Sequence, residues 1–318
     1  MIHTISVPTP FAVGRVNLYL IEDDPLTLVD TGPNSGIALD ELEQGLAQLG
    51  HRVEDLGLLL LTHQHADHIG LTSILARRSG AEVAALAPLA DWLGDFGTNM
   101  ESDDRFAVDL MLRAGVAEDV TVALRAVSAA FRNWGSRADV TRRLHDGDEV
   151  VLRDRTYRVL HRPGHSPTDT IFHDEQRREI VGGDHLIAHI SSNPVITAPP
   201  PGETERPKAL LAYIDSLRRT QAMDVDTILP GHGEPVTGHA ELIDQRLRMH
   251  DKRAAKILRL LGDGPLSAHE IAQRLWGKVA LTQVYLTLSE VLGHTDLLCE
   301  RGQVVEEDDD GVTRFRAV

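Results

Sequence analysis

The amino-acid sequence predicts an α/β fold with a helical insert and a separate C-terminal domain. Short apolar runs typical of buried strands alternate with helical patterns over the first third of the chain. From about residue 88 to residue 144 the pattern predicts helices without strands, and strand patterns then resume. From residue 241 it predicts three helices and a hairpin, as in a winged helix. We therefore assign residues 1–240 to an α/β domain with a helical cap at about 88–144, and residues 241–318 to a winged-helix-like domain.

Each element follows from local patterning. The strands are predicted from short apolar or alternating runs bounded by turn residues, at 16–21, 26–29, 56–61, 82–86, 149–152, 156–160, 170–173, 179–181 and 227–229. Helices of the α/β domain outside the cap are predicted at 39–49, 69–78 and 206–219. In the C-terminal domain, helices are predicted at 241–261, 267–276 and 282–292, and strands at 303–306 and 312–316.

Charge and cysteine content exclude several classes of function. The 318 residues include 48 Asp and Glu against 32 Lys and Arg, a net charge of −16, which disfavours binding to phosphate backbones. Residues 241–318 carry 11 basic and 13 acidic side chains, so −14 of the total lies on residues 1–240. The single cysteine, Cys299, excludes an internal disulfide framework and any multi-cysteine metal site.

Apolar runs are too short for a membrane-spanning helix, and the first residues lack the basic and apolar regions of a signal peptide. We therefore expect a cytoplasmic protein that does not contact a membrane.

The segment THQHADH at residues 62–68 follows a predicted buried strand and precedes a helix, where an α/β sheet presents its loops to ligands. His63 and His65, two apart in an extended loop, can hold one metal ion. Asp67 and His68 lie where the chain turns into the helix and can hold a second ion nearby. Imidazole nitrogens and carboxylate oxygens are ordinary zinc ligands.

Three later loops supply further candidate ligands. His165, Asp184 and His232 each follow a predicted strand, and each lies beside a glycine, which lets the backbone fold closely around a buried ion. The candidate set is therefore five histidines and two aspartates, with no cysteine.

In this order and spacing, the seven residues resemble the ligand set of the metallo-β-lactamase superfamily of hydrolases, over roughly residues 12 to 240. The sequence LVDTG at 28–32 also matches the family's first strand motif. The resemblance implies an αββα sandwich with the site at one edge between two sheets. It further implies that His63, His65 and His165 hold one ion, that Asp67, His68 and His232 hold the other, and that Asp184 bridges them. The acidic winged-helix tail resembles the LACTB2-like and glyoxalase II-like branches.

Two divalent ions with nitrogen and oxygen ligands favour hydrolysis. We expect zinc, with iron or manganese as alternatives, and a metal-bridging hydroxide that attacks an ester, thioester or lactone carbonyl. Asp67 and His232 are the predicted catalytic residues, with Asp67 orienting the hydroxide and carrying a proton to the leaving group. The expected partner is a small acyl substrate rather than nucleic acid, and the chain can form a homo-oligomer.

Two other hypotheses use the same sequence features. One is a metal-dependent phosphodiesterase or single-strand endoribonuclease, and the other is a binding protein in which the winged helix matters more than the metals. Intact ligands weigh against the binding protein.

Several residues have two interpretations. Asp30 is either a turn residue or a support for the ligand loop. His185 and His189 either contact substrate or lie outside the site, and Tyr213 either reaches the site or packs in the core. The cap aromatics are core residues or line an apolar substrate pocket; they are Trp92, Phe96, Phe106, Phe131 and Trp134.

Overall fold

The computed structural model describes residues 1–200 and 202–318. A six-stranded sheet is formed, in order across it, by β1 (Ile2–Val7), β2 (Val16–Ile21), β3 (Thr27–Val29), β4 (Leu58–Leu60), β5 (Glu82–Leu86) and β6 (Arg142–Leu144). A five-stranded sheet contains β7 (Glu149–Val151), β8 (Thr156–His161), β9 (Thr170–Asp174), β10 (Glu179–Gly183) and β11 (Thr227–Pro230), in the order β11-β10-β9-β8-β7.

Helices cover the outer faces of both sheets. The helices up to the end of the cap are α1 (Gly36–Gln48), α2 (Ala66–Ile69), α3 (Thr72–Ser79), α4 (Ala87–Gly94), α5 (Phe96–Arg113) and α6 (Glu118–Phe131). Those that follow are α7 (Ala209–Gln221), α8 (His239–Leu260), α9 (Ala268–Trp276) and α10 (Val284–Glu300). A third, antiparallel sheet has the order β12-β14-β13, formed by β12 (Leu266–Ser267), β13 (Val304–Asp309) and β14 (Val312–Ala317).

The buried apolar residues form three layers, because successive side chains of a strand point to opposite faces of its sheet. In β4, Leu58 and Leu60 lie in the layer between the two large sheets. Leu59, between them in sequence, lies in the layer beneath the outer helices of the first sheet. Phe172 and Ile171 of β9 divide in the same way between the inner layer and the outer layer of the second sheet. The architecture is an α/β sandwich of two sheets between helices.

Strand direction brings the candidate ligand loops to one edge. In the first sheet, β3, β4, β5 and β6 are parallel. In the second sheet, β10 is parallel to β11, and β8 has the same direction because β9 is antiparallel to both β8 and β10. The loops that follow β4, β8, β10 and β11 therefore start from carboxyl ends of strands, which is where open α/β sheets bind ligands.

The C-terminal elements share an apolar layer with the second sheet. Ile180 and Ile228 of that sheet belong to the same buried cluster as Val291 of α10 and Phe315 of β14. Asp296 of α10, which is buried, accepts two hydrogen bonds, at 2.7 and 2.8 Å, from the guanidinium of Arg206. A bidentate pair of this kind fixes geometry as well as contributing energy. Helix α10 is thus held firmly against the segment that precedes α7.

The structure differs from the sequence expectation at several elements. The expected all-helical stretch at 88–144 is wrong at its end, because β6 pairs there with β5. This strand has the sequence Arg-Arg-Leu at a sheet edge, with Leu144 its one buried residue, so the apolar signal is weak. The sequence patterns also do not predict strands β1 and β12. The helix expected at 69–78 is two helices, and the first of them begins inside the histidine cluster.

Within the described residues, no helix combines the length and the apolar character that a membrane crossing requires.

Candidate metal centre

Seven predicted ligands from four loops converge at the sheet edge. Their ligand atoms form three overlapping groups whose members lie within 4.8 Å of one another. The groups are His63, His65 and His165; His63, His68 and Asp184; and Asp67, His68 and His232. The structure therefore brings together the residues on which the sequence analysis depended.

The first group contains three imidazole nitrogens that point at one another. His65 Nδ1 lies 3.1 Å from His63 Nε2 and 2.9 Å from His165 Nε2. Two nitrogens bound to one tetrahedral ion at 2.0–2.1 Å would be about 3.3 Å apart. The spacing of these nitrogens is close to that value.

Asp184 lies between the first group and the third. Its Oδ2 is 3.5 Å from Nε2 of His165 and 3.5 Å from Nε2 of His232, while its Oδ1 is 3.5 Å from Nε2 of His68. Asp67 Oδ2 is 3.4 Å from His232 Nε2. One carboxylate thus faces histidines from both groups.

Buried polar atoms without hydrogen bonds test whether cations fit here. His68 Nε2, His232 Nε2 and Asp184 Oδ1 are buried and have no hydrogen-bond partner in the part of the chain that the structure describes. Leaving a buried polar atom unsatisfied costs about 1–3 kcal/mol. Divalent cations would satisfy all three, and nitrogen and oxygen donors suit zinc, iron or manganese.

The opposite ring nitrogen of most of these histidines is held by the protein. His68 Nδ1 bonds to Asp30 Oδ2 at 2.7 Å, and His63 Nδ1 contacts Thr62 Oγ1 at 3.0 Å. His232 Nδ1 donates to a backbone carbonyl, that of Arg15, at 2.7 Å, and His165 Nδ1 donates to the carbonyl of Asn193 at 3.0 Å. Such contacts orient the ring and present its other nitrogen to a metal.

Asp30 is the centre of this support. Besides the bond to His68, it accepts hydrogen bonds from Thr62 N at 2.9 Å and Thr62 Oγ1 at 2.8 Å. Its φ of 59° is in the left-handed region, which aspartate and asparagine adopt more readily than most residues. These contacts favour the interpretation of Asp30 as a support for the ligand loop.

Burial and neighbouring charges shift the pKa values of the predicted ligands in different directions. Burial, helped by neighbouring imidazoles, lowers the pKa of His63 well below its ordinary value and that of His65 to about 3. Burial opposes the ionised form of Asp67, but His68 and His232 outweigh it and lower the pKa of that carboxyl. Burial also opposes protonation of His68, yet Asp184, Asp30 and Asp67 raise its pKa to about 10. His63 and His65 are thus neutral and Asp67 is charged, as metal ligands must be, whereas His68 must release a proton when a metal binds.

Residues 12–232 match the family model described as the metallo-beta-lactamase superfamily. This chain belongs to the metallo-β-lactamase superfamily.

Relatives support this membership over the whole chain. The "Probable metallo-hydrolase YqjP" of Bacillus subtilis is 34% identical over 294 residues, which is 92% of this chain and 91% of the relative. A metallo-beta-lactamase family protein of Thermus thermophilus has a TM-score of 0.83 at 26% identity, covering 100% of this chain and 98% of that one. A beta-lactamase domain protein from Burkholderia ambifaria has a TM-score of 0.85 at 28% identity, covering 100% and 92%. The chain is a metal-dependent hydrolase.

One glycine of this metallo-β-lactamase fold is required by close approach. A Cβ at Gly231 would collide with Asp184 Oδ1 and lie 2.7 Å from His68 Cε1. The residue before His232 must therefore lack a side chain if Asp184 is to occupy its place among the ligands.

The residues with two interpretations are now located. His185 is buried and bonds through Nε2 to Thr220 Oγ1 at 2.8 Å, and burial lowers the pKa of its ring to about 3. Tyr213 is buried and donates from its hydroxyl to His185 O at 2.9 Å, so it packs behind the site. His189 is exposed and lies against Gly233, next to His232.

Several residues that support the site were not predicted from the sequence. Asn17 Nδ2 donates to the carbonyls of Pro230 and Gly233 at 3.1 and 2.8 Å, and Tyr19 Oη donates to that of Pro230 at 2.7 Å. Together they clamp the loop that carries His232. The sequence signal for Asn17 is its position as a polar amide within the largely apolar strand VNLYLI. The part played by Arg15 cannot be predicted from the sequence, because its backbone carbonyl, and not its side chain, holds His232.

Four of the five cap aromatics line one cavity, and the fifth does not. Trp92, Phe96, Phe106 and Phe131 line a cavity that opens beside His65. Trp134 is not among the residues that line it and belongs to a short turn after α6.

Proposed function

We propose that the chain is a binuclear metal-dependent hydrolase that cleaves an ester, thioester or lactone. The observation that carries this proposal is the buried Asp184 carboxylate, within 3.5 Å of histidines from both ligand groups. His63, His65 and His165 would hold one ion, and Asp67, His68 and His232 the other, with Asp184 shared between them. Zinc is the expected metal because imidazole nitrogens and carboxylate oxygens are its ordinary ligands, with iron or manganese as alternatives.

When bound, a pair of divalent ions lowers the pKa of a shared water from 15.7 to about 7 and polarises a carbonyl oxygen. The chain's own contribution begins with Asp67, a buried carboxylate that stays ionised beside His68 and His232. It can accept the proton of the attacking water and pass it to the leaving oxygen or sulfur. The water oxygen bonds to the carbonyl carbon and the bond to the leaving group breaks. An ester or thioester gives a carboxylic acid and an alcohol or thiol, and a lactone gives one hydroxy acid.

His232 has a positioning part in this scheme. Its Nδ1 is fixed by the carbonyl of Arg15, so Nε2 points at Asp67 and Asp184. Bound to the same ion, His232 and Asp67 would be kept side by side, with the Asp67 carboxylate next to the water that it orients.

A phosphodiesterase or endoribonuclease of the same fold is the alternative. We interpret helices α8, α9 and α10 with the three-stranded sheet as a winged helix, close to the LACTB2-like and glyoxalase II-like branches. Helix α10 would be its recognition helix, yet α10 is largely buried. The hairpin at β13 and β14 would be its wing, and its tip carries the acidic run Asp308, Asp309 and Asp310. These features favour a small acyl substrate over nucleic acid.

A substrate panel tests the proposal. Protein loaded in parallel with zinc, manganese or iron is given aryl esters, an acyl thioester, a lactone, a phosphodiester and labelled single-stranded RNA. We expect hydrolysis of at least one acyl class and none of the phosphodiester or RNA. Asp67→Asn should abolish that hydrolysis, whereas Asp40→Asn, at an exposed position of α1, should not. Cleavage of RNA without acyl hydrolysis would reverse the assignment.

A further inference from the structure

A cavity of about 380 Å³ lies beside His65, between the helical cap and the first turn of α10. We propose that this cavity binds an uncharged, apolar acyl chain of the substrate, and that the C-terminal helix α10 forms one of its walls. The inference rests on the proposed function, because it concerns the substrate of the same metal centre.

One end of the cavity borders the metal centre at His65. Gln64, His65 and Ala66, from the loop that carries the first ligands, line one end of it. The side chain of Gln64 is fixed there by a hydrogen bond from Thr168. A molecule whose chain fills the cavity therefore places its head group next to His65, where the carbonyl must lie for hydrolysis.

The lining predicts the chemistry of the occupant. Aromatic and aliphatic side chains dominate it, including Trp92, Phe106, Met111 and Phe131. Pockets of this kind bind apolar ligands, with a few polar groups that fix orientation.

The acidic side chains of this wall already have partners. Asp104 pairs with Arg132 and accepts a hydrogen bond from Ser128. Burial raises the pKa of the Asp103 carboxyl, against the hydrogen bonds from Trp92 and the backbone of Ala198. Arg125 also lines the cavity, but its side chain is exposed to solvent. An uncharged chain is therefore the best match to the interior.

Helix α10 contributes Tyr285 and Leu286 to the wall of the cavity. The Tyr285 hydroxyl donates to the carbonyl of Ile196 at 2.6 Å, and Asn193 Nδ2 donates to that of Leu286 at 2.9 Å. The carbonyl of Asn193 in turn accepts the hydrogen bond from the ligand His165. A single segment thus connects the wall of the cavity to the metal centre, which keeps their relative geometry fixed.

Size limits the chain that can bind. About 380 Å³ lies near the small end of the range for ligand pockets. Each methylene transferred from water should improve affinity about fourfold, equivalent to about 0.8 kcal/mol, until the cavity is full. Longer chains should then gain nothing.

The test uses linear methyl ketones, which are uncharged and contain no hydrolysable bond. Ketones of about four to fourteen carbons are titrated into the zinc-loaded full chain by isothermal titration calorimetry, and we expect the Kd to fall about fourfold per methylene and then level off. Matched methyl ketones that carry a carboxylate at the far end of the chain are titrated in parallel.

Matched variants locate the site of binding. Ala107→Leu on α5 adds a side chain inside the cavity and should weaken binding of the longest ketones at least tenfold. Ala126→Leu makes the same change at an exposed position of α6 that does not line the cavity, and should leave binding unchanged. Leu286→Ala removes side-chain atoms from the wall formed by α10 and so enlarges the cavity. The chain length at which the Kd stops falling should therefore increase.

The outcomes separate this inference from the proposed function. Chain-length-dependent ketone binding without any acyl hydrolysis supports the cavity and removes the proposed function. Two outcomes would overturn the cavity proposal while the protein still hydrolyses an acyl substrate. In one, the Kd of the ketones does not depend on chain length. In the other, Ala107→Leu and Ala126→Leu change the Kd equally. Ketones with the terminal carboxylate that bind more tightly than the plain ketones overturn the uncharged class. If Leu286→Ala does not change the chain length at which the Kd stops falling, α10 does not form a wall of the binding site.

Discussion

Replacing Asp30 by asparagine should weaken metal binding without changing any ligand. The Asp30 carboxylate accepts three hydrogen bonds, from His68 Nδ1 at 2.7 Å, Thr62 Oγ1 at 2.8 Å and Thr62 N at 2.9 Å. Asparagine keeps the volume and tolerates the φ of 59°. Its amide NH₂, however, must face either Thr62 N or His68 Nδ1, so either the ligand loop or the His68 ring loses a hydrogen bond that holds it in place.

The magnitude follows from the behaviour of residues that orient metal ligands. Their removal typically weakens metal affinity 10- to 100-fold, about 1.4–2.8 kcal/mol. Thr62→Val is a milder test, since it removes the hydroxyl bonded to Asp30 and in contact with His63 but keeps the backbone N–H. We expect a loss nearer the lower limit for that variant.

The assay is competition for zinc against a chromophoric chelator at fixed pH, with circular dichroism to verify folding. Asp40→Asn, the same change at an exposed site of α1, is the control and should bind like the wild type. A folded Asp30→Asn variant whose zinc affinity stays within about threefold of the wild type would refute the reasoning, since the expected minimum is about tenfold.

Two further predictions concern packing and protonation. Gly231→Ala should displace the Asp184 carboxylate and lower the zinc content measured by elemental analysis. Gly97→Ala, at an open position in α5, should leave the zinc content unchanged. Normal zinc content in both variants would show that a Cβ at residue 231 does not disturb Asp184. Burial, with a contribution from His294, lowers the pKa of His250 to about 4, so the unfolded state binds its proton more readily and stability falls as pH drops from about 6.5 toward 4. Between pH 7 and pH 5 this residue should lower the free energy of unfolding by about 2 kcal/mol. In urea unfolding, His250→Gln should therefore lose about 2 kcal/mol less stability over this pH range than the wild type does. An equal loss in both proteins argues against a buried neutral imidazole.

The family and the ligand loops could be predicted from the sequence because their signals are local. A histidine cluster directly after a buried strand, and single ligands beside glycines after later strands, are visible without any knowledge of the fold. Membership of the metallo-β-lactamase superfamily and metal-dependent hydrolysis are confirmed by the comparisons. The assignment of each ligand to a particular ion stays a prediction.

The remaining features depend on tertiary contacts. Helix α10 was expected to end near residue 292 but continues to Glu300. The polar residues His294 and Asp296 interrupt its apolar pattern, and they are buried because Asp296 pairs with Arg206 and His294 bonds to the Glu290 carbonyl. Asn193 lies outside any helix or strand, so only the fold shows that it connects α10 to His165.

The central claim is that the seven residues form one centre for two ions with Asp184 between them. The most direct measurement is the zinc content per chain of the wild type and Asp184→Ala after loading and removal of excess metal. The account predicts about two zinc ions per wild-type chain and fewer than about one for the variant. A wild type that retains a single ion, or an Asp184→Ala variant that retains both, would contradict it.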